Sequence, residues 1–69
     1  MSDHVYSVSE IVGTSPDGIE PAIEAALARA RKTLRNLDWF ETTEVRGHLD
    51  EAGAVDYWQV TLKLGFRME

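Results

Sequence analysis

The sequence predicts an α+β fold in which one amphipathic helix and three strands follow one another in the order β-α-β-β. Three observations carry this prediction: a helical apolar stripe in the first half, an alternating run near the end, and a short glycine-containing loop between two strand-like runs. We expect a three-stranded antiparallel sheet that has the helix against one of its faces.

The first predicted strand covers residues 4–12, HVYSVSEIV, because this segment is rich in β-branched and aromatic residues. Gly13 follows directly and predicts a turn, since glycine is one of the strongest signals for the end of an element. The strand is therefore expected to stop at Gly13.

Apolar residues recur at helical spacing over residues 19–37 and form one stripe. Acidic residues come early in this segment and basic residues late, which complements the helix dipole. Pro21 favours a short turn followed by a helix that begins near Ile19. Pro21 would then lie in the first turn of the helix, where N–H groups have no hydrogen-bond partner within the helix. A helix capped by Ser15, with Pro16 as its first residue, is the alternative. The stripe consists of Ile19, Ala22, Ile23, Ala26, Leu27, Ala30, Leu34 and Leu37.

Residues 39–49 and 55–68 are two strand-like runs joined by the loop DEAGA, which is typical of a β-hairpin. Apolar and polar residues alternate cleanly in the second run, so we expect the helix to pack against its apolar side. The first run is less regular, because Trp39 and Val45 share one parity while Phe40 has the other, and a β-bulge would explain this. The opposite face of the sheet is either solvated or meets a partner or a ligand. The apolar side of the last run consists of Trp58, Val60, Leu62, Leu64, Phe66 and Met68.

A chain of 69 residues is expected to form one domain, residues 1–69, with a thin core, since a domain of this size buries only about 60% of its unfolded surface. There is no cysteine to add a disulfide, so a partner subunit or a bound ligand is the expected support. The formal net charge of −5 argues against nucleic acid as a partner. No run has the length of a membrane span and no secretory signal is recognisable, so we expect a cytoplasmic protein with no membrane partner.

The sequence predicts no catalytic residues, because it lacks a glycine-rich phosphate loop, a zinc-protease motif, a nucleophile elbow and any cysteine. His4 and His48 fall on separate strands, and isolated surface histidines are far commoner than metal ligands, so no metal site is expected. Acidic pairs such as Glu41 and Glu44 are interpreted as solvated strand residues. The basic residues late in the helix either bind an anion or only complement the helix terminus, and the second interpretation is favoured.

Trp39 stands at the start of a strand-like run that is otherwise filled with threonine, glutamate and arginine. Two interpretations are open: a packing residue of the core or of an interface, or a flat surface that stacks on a planar ligand. The residues alone favour packing, because aromatic side chains at strand ends are usually structural.

Four segments, HVYSVSEIVGTSPDGIEPAI, ARARKTLRNLDWFE, EVRGHL and YWQVTLKLGFRME, together resemble the dodecin family of small flavin-binding proteins over nearly the whole chain. The resemblance implies a sheet curled around its helix and a homo-oligomeric hollow shell, a dodecamer. It also implies that Trp39 stacks on the isoalloxazine ring of a flavin at a subunit interface, with two flavins lying between two symmetry-related tryptophans.

Three further ligand contacts follow from the same resemblance. Gln59 is expected to hydrogen-bond the polar edge of the flavin ring, for which its amide has both a donor and an acceptor. Arg46 and Arg67 are expected to face the ribityl phosphate, which makes FMN the expected ligand, with riboflavin as the alternative. The residues by themselves also allow Gln59 and Arg67 to be simply solvated, and Arg46 only to pair with a neighbouring glutamate.

The function implied by the resemblance is flavin storage and sequestration without turnover. A flavin stacked on tryptophan can be quenched by rapid electron transfer from the indole, which would suppress its photochemistry. Two alternatives from other classes are a flavin-free, self-assembling scaffold protein, in which Trp39 only anchors an interface, and a flavin-dependent redox enzyme.

Overall fold

A computed structural model describes residues 3–68. Its elements are β1 (Tyr6–Ser15), α1 (Ile19–Ala30), β2 (Leu37–Leu49) and β3 (Val55–Arg67). The strands form one antiparallel sheet in the spatial order β1-β3-β2, so that the last strand lies in the middle. The predicted α+β class and the predicted β-α-β-β order are confirmed.

The core lies between α1 and the central strand β3. Val60, Leu62 and Leu64 are fully buried, as the alternation in this strand predicts. We call the side of the sheet that carries these residues the inner face and the opposite side the outer face. The buried residues of the helix are small, which lets it lie close to the sheet: Ala22, Ala26 and Ala30. Ile23 and Leu27 of the helix are partly buried and pack against this core.

The first strand does not stop at Gly13, and the predicted turn there was wrong. Strand β1 continues to Ser15, and Gly13 is buried beneath the helix. A Cβ atom on Gly13 would lie 2.5 Å from the carbonyl oxygen of Ala22 and 2.7 Å from the Cβ of Ala26. The glycine is needed because the helix backbone passes so close to the strand.

The chain turns after β1 at residues 16–18, where the backbone N–H of Asp17 donates to Ser15 Oγ at 3.0 Å. The helix then begins at Ile19, as predicted, and the N–H of Ala22 donates to the carbonyl of Gly18 at 3.2 Å. Pro21 therefore lies in the first turn, where its missing N–H has no partner to lose.

The helix is shorter than its apolar stripe. It ends at Ala30 and is followed by a turn in which the N–H of Leu34 still donates to the Ala30 carbonyl at 2.9 Å. Leu34 and Leu37 pack against the core from outside the helix. Asn36, which has the left-handed φ of 59°, redirects the chain just before β2.

Strand β2 contains the predicted bulge and further irregularities. Its register against β3 shifts between Leu37 and Trp39, between Thr42 and Glu44, and between His48 and Leu49. At the shift between Thr42 and Glu44, the odd-numbered and even-numbered residues of β2 exchange faces of the sheet. Phe40 opposite Leu64 and Val45 opposite Val60 both lie on the inner face, while Trp39 opposite Gly65 lies on the outer face.

The predicted hairpin loop joins β2 to β3 at residues 50–54. The carboxylate oxygen Oδ1 of Asp50 accepts the backbone N–H groups of Ala52 at 2.9 Å and Ala54 at 3.0 Å. Gly53 has a φ of 83°, which glycine adopts without strain. These bonds close the hairpin and leave both strands 13 residues long.

The helix covers the inner face over β1 and β3 and leaves the inner side of β2 open. Phe40 is 44% exposed and Val45 is 48% exposed, although both face the helix side of the sheet. Leu49 and Val55, on either side of the hairpin loop, are also exposed. No helix among residues 3–68 has the length and apolar character that a membrane crossing requires.

Candidate functional site

The four residues predicted to bind a ligand all lie on the outer face of the sheet. Trp39 stands opposite Gly65, Arg46 stands opposite Gln59, and Arg67 is paired with Tyr6 on β1. Directly opposite residues of an antiparallel pair project from the same face, and these positions alternate with the buried inner residues of β3.

The outer face brings these residues together as two pairs and not as one cluster. Trp39 and Arg67 lie near one end of β3, and Arg46 and Gln59 lie near the other end. From Gln59 to Gly65 the strand rises about 20 Å, at roughly 3.3 Å per residue. We call these regions the Trp39 end and the Gln59 end.

At the Trp39 end, the indole ring occupies the space directly above the α-carbon of Gly65. A Cβ atom on Gly65 would overlap ring atoms Cε2 and Cζ2 of Trp39. Trp39 remains 39% exposed. The ring is therefore supported by backbone on its sheet side and is open to contact on its outer side.

Tyr6 on β1 contacts Trp39 across the central strand β3. Its ring centroid lies 5.9 Å from that of Trp39, with the two planes tilted by 60°. Its hydroxyl donates to Oδ2 of Asp38 at 2.8 Å. That hydrogen bond is the main reason why the pKa of Tyr6 lies above its ordinary value of 10.0. Tyr6 did not emerge from sequence analysis, because its contact with residue 38 depends on how three strands align.

At the Gln59 end, the amide of Gln59 is half-buried and bonded to a histidine. Its Oε1 lies 2.8 Å from Nε2 of His48. The imidazole of His48 in turn stacks on the ring of Tyr57, with centroids 4.4 Å apart and planes inclined by 17°. His48 was interpreted from sequence as an isolated surface residue, and the structure corrects this: it is half-buried and in contact with a predicted site residue.

Arg46 is paired with a carboxylate but is accessible. Its Nη2 lies 3.4 Å from Oε1 of Glu44, and both side chains are more than half exposed. A surface ion pair of this kind contributes about 0–1 kcal/mol, so a phosphate group could displace the glutamate at small cost. Arg67 is also exposed.

Residues 3–68 of one chain do not by themselves enclose a ligand at the Trp39 end. The cavity that borders Trp39 has a volume of about 210 Å³, below the roughly 300–1,000 Å³ of typical ligand sites. A larger depression of about 440 Å³ lies between β1 and α1, but none of the four predicted residues lines it. The walls of the smaller cavity are Leu27, Arg31, Leu37, Asp38, Trp39 and Phe40.

Within residues 3–68, no set of three or more histidine, aspartate or glutamate residues lies close enough together to hold a metal ion. The four predicted residues on the outer face present an aromatic ring, an amide and two guanidinium groups.

Comparison with known proteins identifies the family. The family model named Dodecin matches residues 5–69. The dodecin of Thermus thermophilus is 63% identical over 65 residues, which are 94% of this chain and 93% of that protein. A protein of Mycobacterium tuberculosis named calcium dodecin is 34% identical over 64 residues, 93% of this chain and 89% of that one.

The fold agrees with this assignment. The solved structure of dodecin from Streptomyces coelicolor superimposes with a TM-score of 0.90 at 59% identity, covering 100% of this chain and 97% of the other. Family match, sequence identity and superposition all extend over nearly the whole length. The chain belongs to the dodecin family of small flavin-binding proteins.

Proposed function

We propose that this protein stores and sequesters flavin without turnover, by stacking flavin pairs between Trp39 side chains at the subunit interfaces of a dodecamer. The observation that carries the proposal is the position of the Trp39 indole, which rests on Gly65 and stays exposed on its outer side. An aromatic ring fixed on one side is a ready platform for a planar ligand, because stacking then costs little side-chain entropy.

The polar residues of the outer face match the remaining parts of a flavin. Gln59 has an amide that can both donate to and accept from the polar edge of the ring. Arg46 and Arg67 carry guanidinium groups that suit a phosphate, so FMN is the proposed ligand in preference to riboflavin. Both arginines are accessible to a ligand on this face.

The separation of the two ends supports a site that is shared between subunits. About 20 Å of strand separates Gln59 from Gly65, which is longer than a three-ring isoalloxazine. A flavin in contact with both Trp39 and Gln59 therefore takes them from different copies of the chain. The exposed Phe40 and Val45 on the inner side of β2 give an oligomer apolar surface to bury.

Sequestration works through the stacked ring. When light excites the flavin, the indole of Trp39 transfers one electron to it, and the electron returns before the excited flavin reacts with other molecules. A ring covered on both sides also has no open face for a substrate, which is why we propose storage rather than a redox enzyme. We also propose that the protein is cytoplasmic, as expected from the sequence.

The test is a flavin fluorescence titration of the ligand-free protein. We expect wild type to quench FMN stoichiometrically and to bind it more tightly than riboflavin. Trp39→Ala is expected to lose the quenching at equal oligomer size. The matched control is Trp58→Phe, which changes the other tryptophan, a half-buried residue on the inner face. This variant is expected to quench flavin fluorescence as wild type does.

Other results would support other functions. A closed shell that leaves flavin fluorescence unchanged would indicate a flavin-free scaffold, with Trp39 as an interface anchor. Turnover of the bound flavin with common electron donors would indicate a redox enzyme.

A further inference from the structure

The amide of Gln59 is oriented by a neighbour before any ligand arrives. Its Oε1 lies 2.8 Å from His48 Nε2. An amide oxygen can only accept a hydrogen bond, so the imidazole nitrogen carries the hydrogen in this contact. The bond therefore distinguishes the two ends of the amide, which have nearly the same shape.

His48 is itself held from two directions. Its ring stacks on Tyr57, its direct partner across the strands, and this sets the plane of the imidazole. The bond to Gln59 then sets its rotation within that plane. All three side chains are half-buried, so water competes less with these contacts than it would on an open surface.

The charged cross-strand partner of Gln59 is bonded to another residue. Arg46 is its direct partner on β2, but the guanidinium is bonded to Glu44 at 3.4 Å. Thr14 is its partner on β1. Among residues 3–68, His48 is the side chain that the structure shows bonded to the Gln59 amide.

We infer that His48 is a positioning residue for ligand recognition: it holds the Gln59 amide so that one oxygen lone pair and the amide hydrogens face an adjacent N–H and C=O of the ligand. An amide oxygen has two lone pairs, and His48 uses one of them. The polar edge of a flavin has this pattern, because its N3–H lies between two carbonyl groups. The inference rests on the proposed flavin function and adds to it the residue that sets the hydrogen-bond pattern.

Two variants of His48 separate the hydrogen bond from the ring stack. His48→Phe keeps an aromatic ring against Tyr57 and removes the N–H donor. His48→Gln removes the ring and restores an N–H at nearly the position of Nε2. The control is His4→Phe, which changes the exposed histidine before β1.

The measurement compares the dissociation constants of FMN and of its N3-methyl analogue, which lacks the N3–H group, at equal oligomer size. We expect wild type and His4→Phe to bind FMN more tightly than the analogue. His48→Phe is expected to weaken FMN binding by about 5- to 10-fold, the equivalent of one neutral hydrogen bond, and to change binding of the analogue little. His48→Gln is expected to recover most of the preference for FMN.

Two results would overturn the inference while leaving flavin storage intact. The first is a His48→Phe protein that binds both ligands as wild type does, or that loses affinity for both equally. The second is a nitrogen NMR spectrum of the ligand-free wild type in which neutral His48 carries its hydrogen on Nδ1. A wild-type protein that binds no FMN would instead overturn the proposed function and this inference together.

Discussion

Trp39 and Gly65 are direct partners across β2 and β3, and the indole of the first fills the space where a side chain on the second would stand. Gly65 is buried as a result, although it lies on the outer face of the sheet. The glycine therefore decides where the tryptophan ring lies and how much of it a ligand can reach.

Replacing Gly65 with alanine should displace the indole, because the new Cβ would overlap Cε2 and Cζ2 of Trp39. We expect Gly65→Ala to weaken FMN binding by about 10-fold or more and to reduce fluorescence quenching. A fluorescence titration measures both. The matched control is Gly47→Ala on β2, whose Cβ would meet its nearest atoms at an ordinary 3.9–4.0 Å. Unchanged FMN affinity in Gly65→Ala would mean that the ring position seen here is not the binding position.

Gly13→Ala should destabilise the fold itself. The added Cβ would meet the Ala22 carbonyl oxygen and the Ala26 methyl group, and the helix backbone cannot rotate away as a flexible side chain can. We expect a loss of about 1–3 kcal/mol in the free energy of unfolding. Urea denaturation measures it, with Gly47→Ala again as the control. A loss no larger than that of the control would contradict the close approach of α1 to β1.

The Tyr6 contact predicts a loss of stability at high pH. The hydrogen bond to Asp38 raises the pKa of Tyr6, so the folded state holds the phenolic proton more tightly than the unfolded state does. The contribution is fully present below the ordinary pKa of 10.0 and is lost as the pH rises through the raised value. Denaturation at a series of pH values should show a wild-type advantage over Tyr6→Phe that is constant below pH 10 and shrinks above it. A stability advantage of wild type over Tyr6→Phe that grows with pH would contradict a raised pKa of Tyr6.

Removing the charge of Arg46 should change ligand preference more than stability. Its ion pair with Glu44 is exposed, so Arg46→Gln is expected to cost under about 1 kcal/mol of folding free energy. Loss of a charge-assisted bond to phosphate should weaken FMN binding by about 10-fold at low salt and leave riboflavin binding nearly unchanged. Titrations with both ligands at two salt concentrations measure this.

Two further variants complete that comparison. Arg67→Gln is expected to show the same selective loss of FMN affinity, because Arg67 lies at the Trp39 end of the same face. Lys32→Gln removes an exposed cation in the turn after α1 and should affect neither ligand. Equal losses for FMN and riboflavin in the arginine variants would place these residues away from the phosphate.

Part of the site could be predicted because the sequence segments that resemble the dodecin family contain the four site residues. Trp39, Gln59, Arg46 and Arg67 were predicted to bind flavin, and the structure places all four on one face; their roles in binding stay predictions. Which of them lie near one another in a single chain could not be predicted. The bulges of β2 set that spacing, and a bulge leaves no reliable signal in the sequence.

Two partners of the site residues were missed for the same reason. Tyr6 bonds Asp38, 32 residues away, and His48 bonds Gln59, 11 residues away. Each contact requires a particular pairing of strands. A shift of the pairing by one residue would move either side chain to the other face of the sheet.

The sequence by itself determined the order of the elements, the start of the helix near Ile19, the hairpin loop and the buried side of β3. These features depend on residue periodicity and turn chemistry, which are local. The tertiary structure decided that α1 ends at Ala30, that β1 runs through Gly13, and that Trp39 rests on Gly65. Those features depend on how closely separate elements approach one another, and packing between distant segments sets that distance.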